Sequence, residues 1–257
     1  MNALYGWPIW IPIVLILLLS LGAGELGFRV GRSQQVSDTE RDIVNTLRTS
    51  TLGLVALLLG FSFAITSSRF SDRSRLVNDE ANAIGTCWLR AGLVAEPARG
   101  EIRAALRRYT DLRIESFEKG VDPLEFVRLA DSMHATLATL WTGVTHAVSA
   151  NASLAIASAI VPAANDVIDL SATREWMRTF HMPPTVVWLL GLSIILCGAM
   201  TGHALGQAGR RHVLLSLALN LLILVVAFVV LDFDRPQRGL IRVDQTPLIQ
   251  ARAGLVP

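Results

Sequence analysis

The chain has 257 residues, a formal net charge of +2 and 52% hydrophobic residues, with a mean hydropathy of +0.47. This composition is too apolar for an ordinary soluble domain and is typical of a membrane protein that carries a polar portion. It excludes a chain-wide basic surface for nucleic acid. The two cysteines, Cys87 and Cys197, lack the spacing of a disulfide framework or a structural zinc site.

Four windows contain no Asp, Glu, Lys or Arg over roughly 20 residues or more, the length that a helix needs to cross a bilayer. They are Met1 to Gly24, Thr49 to Ser68, Thr179 to Gly209 and His212 to Leu231. The first window lacks the basic start of a signal peptide, so we interpret it as a retained span. The sequence therefore predicts an all-α polytopic membrane protein with four transmembrane helices.

The order of these windows divides the chain into four expected parts. They are a first transmembrane hairpin at 1–68 with spans at about 7–30 and 46–68, a helical soluble portion at 69–180, a second hairpin at 181–231 with spans at about 184–207 and 212–231, and a C-terminal tail at 232–257. The soluble portion carries apolar stripes at helical spacing, and its first helix is expected to continue from the second span.

Local signals place the ends of several helices. The segment SDTE at Ser37 matches a capping box, and no proline follows before Pro97, so one helix is expected from Ser37 to about Leu93. Pro97, Pro123 and Pro162 should separate the later helical segments, with Asp122 capping the helix that Pro123 begins.

Small and polar residues recur along one face of this long predicted helix. We call them the small-residue seam, which comprises Thr46, Ser50, Gly53, Leu57, Gly60, Ala64, Ser67, Ser71 and Ser74. One interpretation is close helix packing, the commoner origin of such patterns in lipid. The other is a pore lining, with Phe61 or Phe63 as a candidate constriction and Ser62 or Thr66 near the path.

The third span carries a second pattern of small residues, Gly198, Gly202 and Gly206, which predicts a helix-packing face. Glu25 is an acid within an otherwise apolar helix and is therefore a functional candidate. Arg29, four residues later, offers the simpler explanation of an ordinary helical ion pair.

Two aspartates, Asp232 and Asp234, follow the last apolar window, where the helix dipole disfavours anions. We expect arginines to compensate them, either Arg235 and Arg238 or arginines at other membrane edges such as Arg69. A cation site is the weaker hypothesis, because two carboxylates are few for a calcium cage.

Several segments together resemble the bacterial bestrophin-like membrane proteins. They are LLGFSFAIT (58–66), NDEANAIGTCWLRAGLVAEPAR (78–99), IVPAANDVIDL (160–170), HMPPTVVWLL (181–190) and LDFDRPQRGLIRV (231–243). That family is distantly similar to the bestrophin anion channels. The resemblance implies a pentamer with four membrane helices per subunit, a long second helix that lines a pore, and a cytosolic helical portion.

The leading hypothesis is therefore an oligomeric ion channel lined by the second helix. Arg69, Arg73 and Arg75 stand at one expected membrane exit, where positive charge would concentrate anions. The expected partners are the lipid bilayer, further copies of the chain in a pentamer by resemblance, and small ions. No nucleic acid and no cofactor are expected.

A membrane signalling or scaffold protein, which relays a ligand or partner event through its helices, is the alternative. Enzymatic activity is not expected, because no nucleophile and base pair, phosphate loop or metal-ligand cluster is evident. The expected location is the bacterial inner membrane, as a multi-pass protein. The distribution of arginines gives a small preference for cytoplasmic termini and a cytoplasmic soluble portion.

Overall fold

The computed structural model describes residues 8–34, 37–119, 122–150, 153–235 and 239–256. Its helices in chain order are α1 (Trp10–Ser33), α2 (Asp38–Ala91), α3 (Ala98–Lys119), α4 (Pro123–Ser149), α5 (Leu154–Thr179), α6 (Pro184–Gln207), α7 (Val213–Phe233) and α8 (Thr246–Gly254). No strand occurs within the described ranges, so the predicted all-α class is confirmed.

Four helical stretches are long and apolar enough to cross a membrane. They are Trp10–Ser33, Asp38–Ala91, Leu154–Gln207 and Val213–Phe233. The third is interrupted at 180–183, and its uncharged part is α6. The predicted polytopic architecture with four transmembrane helices is therefore confirmed. Residue 7, the expected start of the first span, lies outside the described residues.

The second helix is continuous for 54 residues, close to the predicted length. The main-chain N–H of Ser37 donates to the Glu40 carboxylate at 2.8 Å, and the N–H of Glu40 donates to the Ser37 hydroxyl at 3.4 Å. This reciprocal pair is the predicted capping box, and it satisfies two donors that the first turn of a helix leaves unpaired.

The described residues cluster into two compact units. The first unit comprises those within Met1–Phe70 and His181–Ile241, and the second comprises those within Ser71–Phe180 and Arg242–Pro257. Within the first unit, α2, α6 and α7 share an apolar core formed by Val55, Leu59, Leu190, Ile194, Cys197 and Ala227. The core of the second unit includes the fully buried side chains of Ile84, Ile102, Leu106, Tyr109, Leu112, Leu129, Leu140 and Ile160.

Helices α1 and α6 approach each other along small residues. A Cβ added at Gly202 would collide with the carbonyl oxygen of Gly24, and one at Gly206 would collide with the carbonyl oxygen of Phe28. A Cβ at Gly198 would meet the main chain of Ser20. These three α6 glycines therefore lie at a close backbone contact within one subunit, where van der Waals attraction holds helices together in lipid.

Two of the three prolines stand beside helix starts, but Pro162 does not. The Asp122 carboxylate accepts a hydrogen bond from the N–H of Leu124 at 2.8 Å, which confirms the predicted cap of α4. Pro162 lies inside α5, so its predicted role as a separator is wrong. Its neighbours Ile160 and Ala163 are fully buried, and this burial on both sides offsets the main-chain hydrogen bond that proline removes.

Candidate functional site

The small-residue seam lies on a side of α2 that the described part of the subunit leaves uncovered. Most of its members are exposed, and Ser67 and Ser74 are partly exposed. A Cβ added at Gly53 or Gly60 would meet no atom within 4 Å. The opposite side of α2 carries Val55 and Leu59, which are buried in the core of the first unit. The seam is therefore not a packing face within the subunit.

Two aromatic rings flank the seam. Phe61 is 61% exposed, and Phe63 is 41% exposed with its ring centroid 5.8 Å from that of Phe233 on α7. Phe61 is therefore the less restrained of the two candidate constrictions. Ser62 and Thr66 are buried, and the Thr66 hydroxyl donates to the carbonyl oxygen of Ser62 at 2.9 Å. The expectation that either lies near a path along the seam is wrong, because both face the interior of the subunit.

The three arginines expected at one membrane exit occupy different environments. Arg73 is only 7% exposed and donates to the carbonyl oxygen of Phe180, just beyond the end of α5, at 2.8 Å. Arg69 is mostly buried and lies 3.9 Å from the Asp234 carboxylate. Only Arg75 of the three has an exposed side chain. The predicted concentration of positive charge is thus reduced, because Arg69 and Arg73 are engaged within the subunit.

Glu25 forms the predicted ion pair and a second one. Its carboxylate lies 2.9 Å from Arg29 on the same helix and 3.2 Å from Arg211, which stands just before α7. The pair with Arg29 follows from helical spacing alone. The pair with Arg211 depends on the fold, since the two residues are far apart in the chain.

Asp232 is fully buried and binds main-chain donors. Its two carboxylate oxygens accept hydrogen bonds from the N–H groups of Leu240 at 2.9 Å and Ile241 at 2.8 Å. A Cβ added at Gly239 would stand 2.8 Å from Asp232 Oδ1, so the glycine allows the chain to pass close to the carboxylate. Asp232 therefore holds the segment that follows α7 against the end of that helix.

Asp234 is also fully buried, and it connects α7 to the start of α6. Its Oδ2 accepts a hydrogen bond from the N–H of Met182 at 2.9 Å, and its main-chain oxygen lies 3.1 Å from His181 Nδ1. Arg69 supplies the compensating positive charge. Arg238, another expected partner of these aspartates, lies outside the described residues. Main-chain donors already bind both carboxylates, and the described residues contain no group of three or more His, Cys, Asp or Glu that could hold a metal ion, so the structure gives no support to the predicted metal site.

The sequence interpretation missed a buried carboxylate in the second unit. Glu80 is fully buried, and Arg113 Nε lies 3.1 Å from its Oε1 and 3.2 Å from its Oε2. The Tyr109 hydroxyl donates a hydrogen bond to the Glu80 carboxylate, and Arg174 forms a second ion pair with Glu80. This Glu80 cluster joins α2, α3 and α5. Arg174 also donates to the side chain of Gln245 at 3.3 Å, which adds the segment before α8.

Burial and charge act in opposite directions on this cluster. Burial alone would raise the pKa of Glu80, but the guanidinium groups of Arg113 and Arg174 outweigh it, so the net pKa lies below the ordinary value. Burial raises the pKa of Tyr109 well above its usual range, which keeps its hydroxyl as a donor. The carboxylate is therefore ionised and has donors from three side chains.

One feature of the sequence pointed to Glu80. It lies at helical spacing between Val77 and Ile84, which are both buried, so a charged residue occupies the apolar stripe of the helix. Buried charges are retained only with partners, and this position therefore indicates a paired carboxylate. Its partners, at positions 109, 113 and 174, could not be identified from that spacing.

Solved structures of other proteins share the fold of this chain. The protein is similar to a bacterial Bestrophin homolog from Klebsiella pneumoniae, with a TM-score of 0.69 and 14% identity over 96% of this chain and 97% of the homolog. A single-residue variant of that homolog gives a TM-score of 0.71 and 15% identity, with 96% of each chain covered. At these identities the likeness establishes the fold alone. A search of curated proteins finds no significant match.

A family model also matches most of the chain. The model of the Bestrophin-like domain matches residues 14–248, which include most of the first candidate span, all of the other three and the start of α8. The matched region contains the buried aspartates after α7, the Glu80 cluster and the uncovered seam. From this match over nearly the whole sequence, we conclude that the chain belongs to the Bestrophin-like family.

Proposed function

We propose that this protein is an oligomeric ion channel whose conduction path follows the small-residue seam of α2. The observation that carries the proposal is that the seam is uncovered by its own subunit while the opposite side of α2 is buried. Small and hydroxyl-bearing residues gain little from contact with acyl chains. A second copy of the chain, or water, is a better partner for this face.

In the proposed assembly, copies surround an axis with their α2 seams directed inward. Membership of the Bestrophin-like family and the likeness to bacterial Bestrophin homolog structures support a ring, for which we propose five subunits. A continuous helix of 54 residues would carry the path from the expected span at 46–68 into the expected soluble portion at 69–180. We propose that this soluble portion and both termini are cytoplasmic in a bacterial inner membrane.

The proposed path favours anions in a limited way. Its lining would include the hydroxyl groups of Ser50, Ser67, Ser71 and Ser74, which can donate hydrogen bonds to a halide, and none of the nine seam residues is acidic. Exposed Arg75 would add positive charge near Ser74. Phe61 is the proposed constriction, because its exposed ring lies beside Gly60 on the uncovered side of the helix.

Purified protein in liposomes tests the proposal through chloride flux. Phe61→Ala is expected to increase flux several-fold because it removes the more exposed of the two rings beside the seam. Gly60→Leu should reduce flux, since a Cβ at this position meets no atom of the described subunit within 4 Å and the added side chain would project into the proposed path. Leu18→Ala, at an exposed site on α1, serves as the matched control and should leave flux unchanged.

A structure of the assembly would distinguish an ion channel from a scaffold or signalling protein. A ring with an opening along the seam, together with flux above that of protein-free liposomes, supports the channel. A dimer whose two seams pack without space for water, with no flux, would overturn it in favour of the scaffold or signalling alternative.

A further inference from the structure

The first unit contains a cleft bounded by α1, α6 and α7 that the proposed conduction path does not use. Its volume is about 250 Å³. The inner end is polar: Ser20, Thr201 and Asn220 line it, and all three are buried. The Ser20 hydroxyl donates to Asn220 Oδ1 at 2.7 Å. The hydroxyl oxygen of Thr201 has no oxygen or nitrogen hydrogen-bond partner among the described residues.

The outer end of the cleft is charged. Glu25 and Arg211 line it and form an ion pair at 3.2 Å, and both side chains are partly exposed. Arg29 lies on the other side of the Glu25 carboxylate, so two guanidinium groups face one carboxylate and leave an excess of positive charge. The Arg211 guanidinium also lies 4.4 Å from the ring centroid of Phe28, which restricts its orientation.

The two ends lie along the direction of the helices. Ser20 and Glu25 are five residues apart on α1, which corresponds to about 7.5 Å of helical rise. Arg211 stands in the connection between α6 and α7, where the apolar windows end. The charged end therefore belongs to the membrane surface, and the polar end lies one to two turns deeper. Apolar walls of Leu21, Leu205, Val213 and Leu217 join the two ends.

We propose that this cleft binds the headgroup of an aminophospholipid from the surrounding bilayer. The phosphate would bind Arg211, and the ammonium group would bind Glu25. The glycerol and ester oxygens would reach the hydroxyl of Thr201 and the side-chain amide of Asn220. The acyl chains would leave along the apolar walls.

Hydrogen-bonding capacity and size both support this occupant. Among the described residues the buried Thr201 hydroxyl has only the Cys197 thiol, a weak hydrogen-bonding group, as a side-chain partner, and an ester oxygen or glycerol hydroxyl would give it a stronger one. A cleft of about 250 Å³ has room for several water molecules. This space suits the headgroup and glycerol region but is too small for the two acyl chains, which must remain in the bilayer.

Native mass spectrometry of the protein, purified from nanodiscs of equal phosphatidylethanolamine and phosphatidylglycerol, tests the proposal. Leu217→Trp fills the cleft, and Leu214→Trp on the same helix is its matched control because Leu214 is 82% exposed. Arg211→Gln removes the phosphate partner, with Arg75→Gln as its control. Bound phosphatidylethanolamine should fall about tenfold in Arg211→Gln, the loss expected for one charge-assisted contact, and at least as far in Leu217→Trp, because the indole occupies the cleft. It should stay unchanged in both controls.

Three results would overturn the proposal. The first is that a folded Leu217→Trp or Arg211→Gln variant retains as much phosphatidylethanolamine as the wild type. The second is that soluble glycerophosphoethanolamine binds the delipidated protein while the lipid does not, which would identify a free zwitterion as the ligand. The third is that Glu25→Gln leaves the preference between the two lipids unchanged. Arg211 is partly exposed, so its variant remains informative if the tryptophan variant does not fold.

Discussion

The carboxylate of Asp232 occupies the space that a side chain at Gly239 would need. It is held there by the N–H groups of the two residues that follow the glycine, Leu240 and Ile241. This arrangement explains why an acid stands at the C-terminal end of a membrane helix, where the dipole opposes it. The main-chain donors of the following segment stabilise the charge.

Gly239→Ala should destabilise the protein by about 1 to 3 kcal/mol, because the methyl group displaces the Asp232 carboxylate from its donors. Asp232→Asn should have a similar effect, since an amide nitrogen would face an N–H group. Gly254→Ala is the control, because a Cβ there meets no atom within 4 Å. Thermal unfolding in detergent measures all three. Equal unfolding midpoints for Gly239→Ala and Gly254→Ala would contradict the described contact.

Divalent cations should not stabilise the Asp232 and Asp234 region. Main-chain N–H groups already bind the Asp232 oxygens and Asp234 Oδ2, and no group of three or more His, Cys, Asp or Glu that could hold a metal ion occurs among the described residues. Calcium, magnesium or a chelator should therefore leave the unfolding midpoint unchanged. A rise with calcium that Asp232→Asn abolishes would restore the metal-site hypothesis.

Glu80→Gln should be among the most destabilising single substitutions in the second unit. It leaves the buried guanidinium groups of Arg113 and Arg174 without a compensating charge, at a cost of about 3 to 5 kcal/mol. Glu101→Gln is the matched control, because Glu101 pairs with His146 at a partly exposed site where such pairs contribute about 0 to 1 kcal/mol. Chemical unfolding in detergent compares them, and equal losses would contradict the cluster's role.

The difference in stability between the wild type and Glu80→Gln should also depend on pH. The folded-state pKa of Glu80 lies below its ordinary value, so the ionised carboxylate contributes stability that is present above the unfolded pKa of about 4.3. This contribution is lost as the pH falls through the folded pKa. The difference in stability between wild type and Glu80→Gln should therefore be constant near neutral pH and become smaller in acid. A stability difference that increases in acid would contradict the assigned lowering of the Glu80 pKa.

Glycines in the two small-residue patterns should respond differently to substitution. Gly202→Ala places a methyl group against the main chain of α1, so it should lower the stability of each subunit by several kcal/mol. Gly53→Ala adds a methyl group in open space and should leave subunit folding unchanged. Thermal unfolding reports the first effect, and elution volume in detergent reports assembly. Equal destabilisation by both variants would show that the seam is packed within the subunit.

Arg75 should influence ion selectivity more directly than Arg73 does. Arg75→Glu should shift the reversal potential away from the equilibrium potential of chloride, because an exposed positive charge near the seam becomes negative. Arg73→Gln should instead reduce folded protein, since Arg73 is buried and donates to the carbonyl oxygen of Phe180. Planar-bilayer recordings and yields of folded oligomer separate the two effects. An unchanged reversal potential in Arg75→Glu would remove Arg75 from the proposed path.

Local patterns were sufficient to predict the helices. The uncharged windows indicated the spans, SDTE indicated the start of α2, and Asp122 indicated the start of α4, because each signal acts over one or two helical turns. The pairing of Glu25 with Arg29 was predictable for the same reason. Pro162 was misinterpreted because a proline weakens a helix locally, whereas burial of the residues around it is a property of the whole unit.

Tertiary structure alone decided which faces and charges meet. Periodicity along α2 showed that a small-residue seam exists, but only the placement of α6 and α7 against Val55 and Leu59 determined that the seam remains uncovered. Glu80 required partners from 29 to 94 residues away, and Arg211 reaches Glu25 across 186 residues. Spacing within one helix specifies the direction of a side chain relative to its neighbours. It carries no information about which distant surface lies opposite, because that depends on the free energy of packing the whole chain.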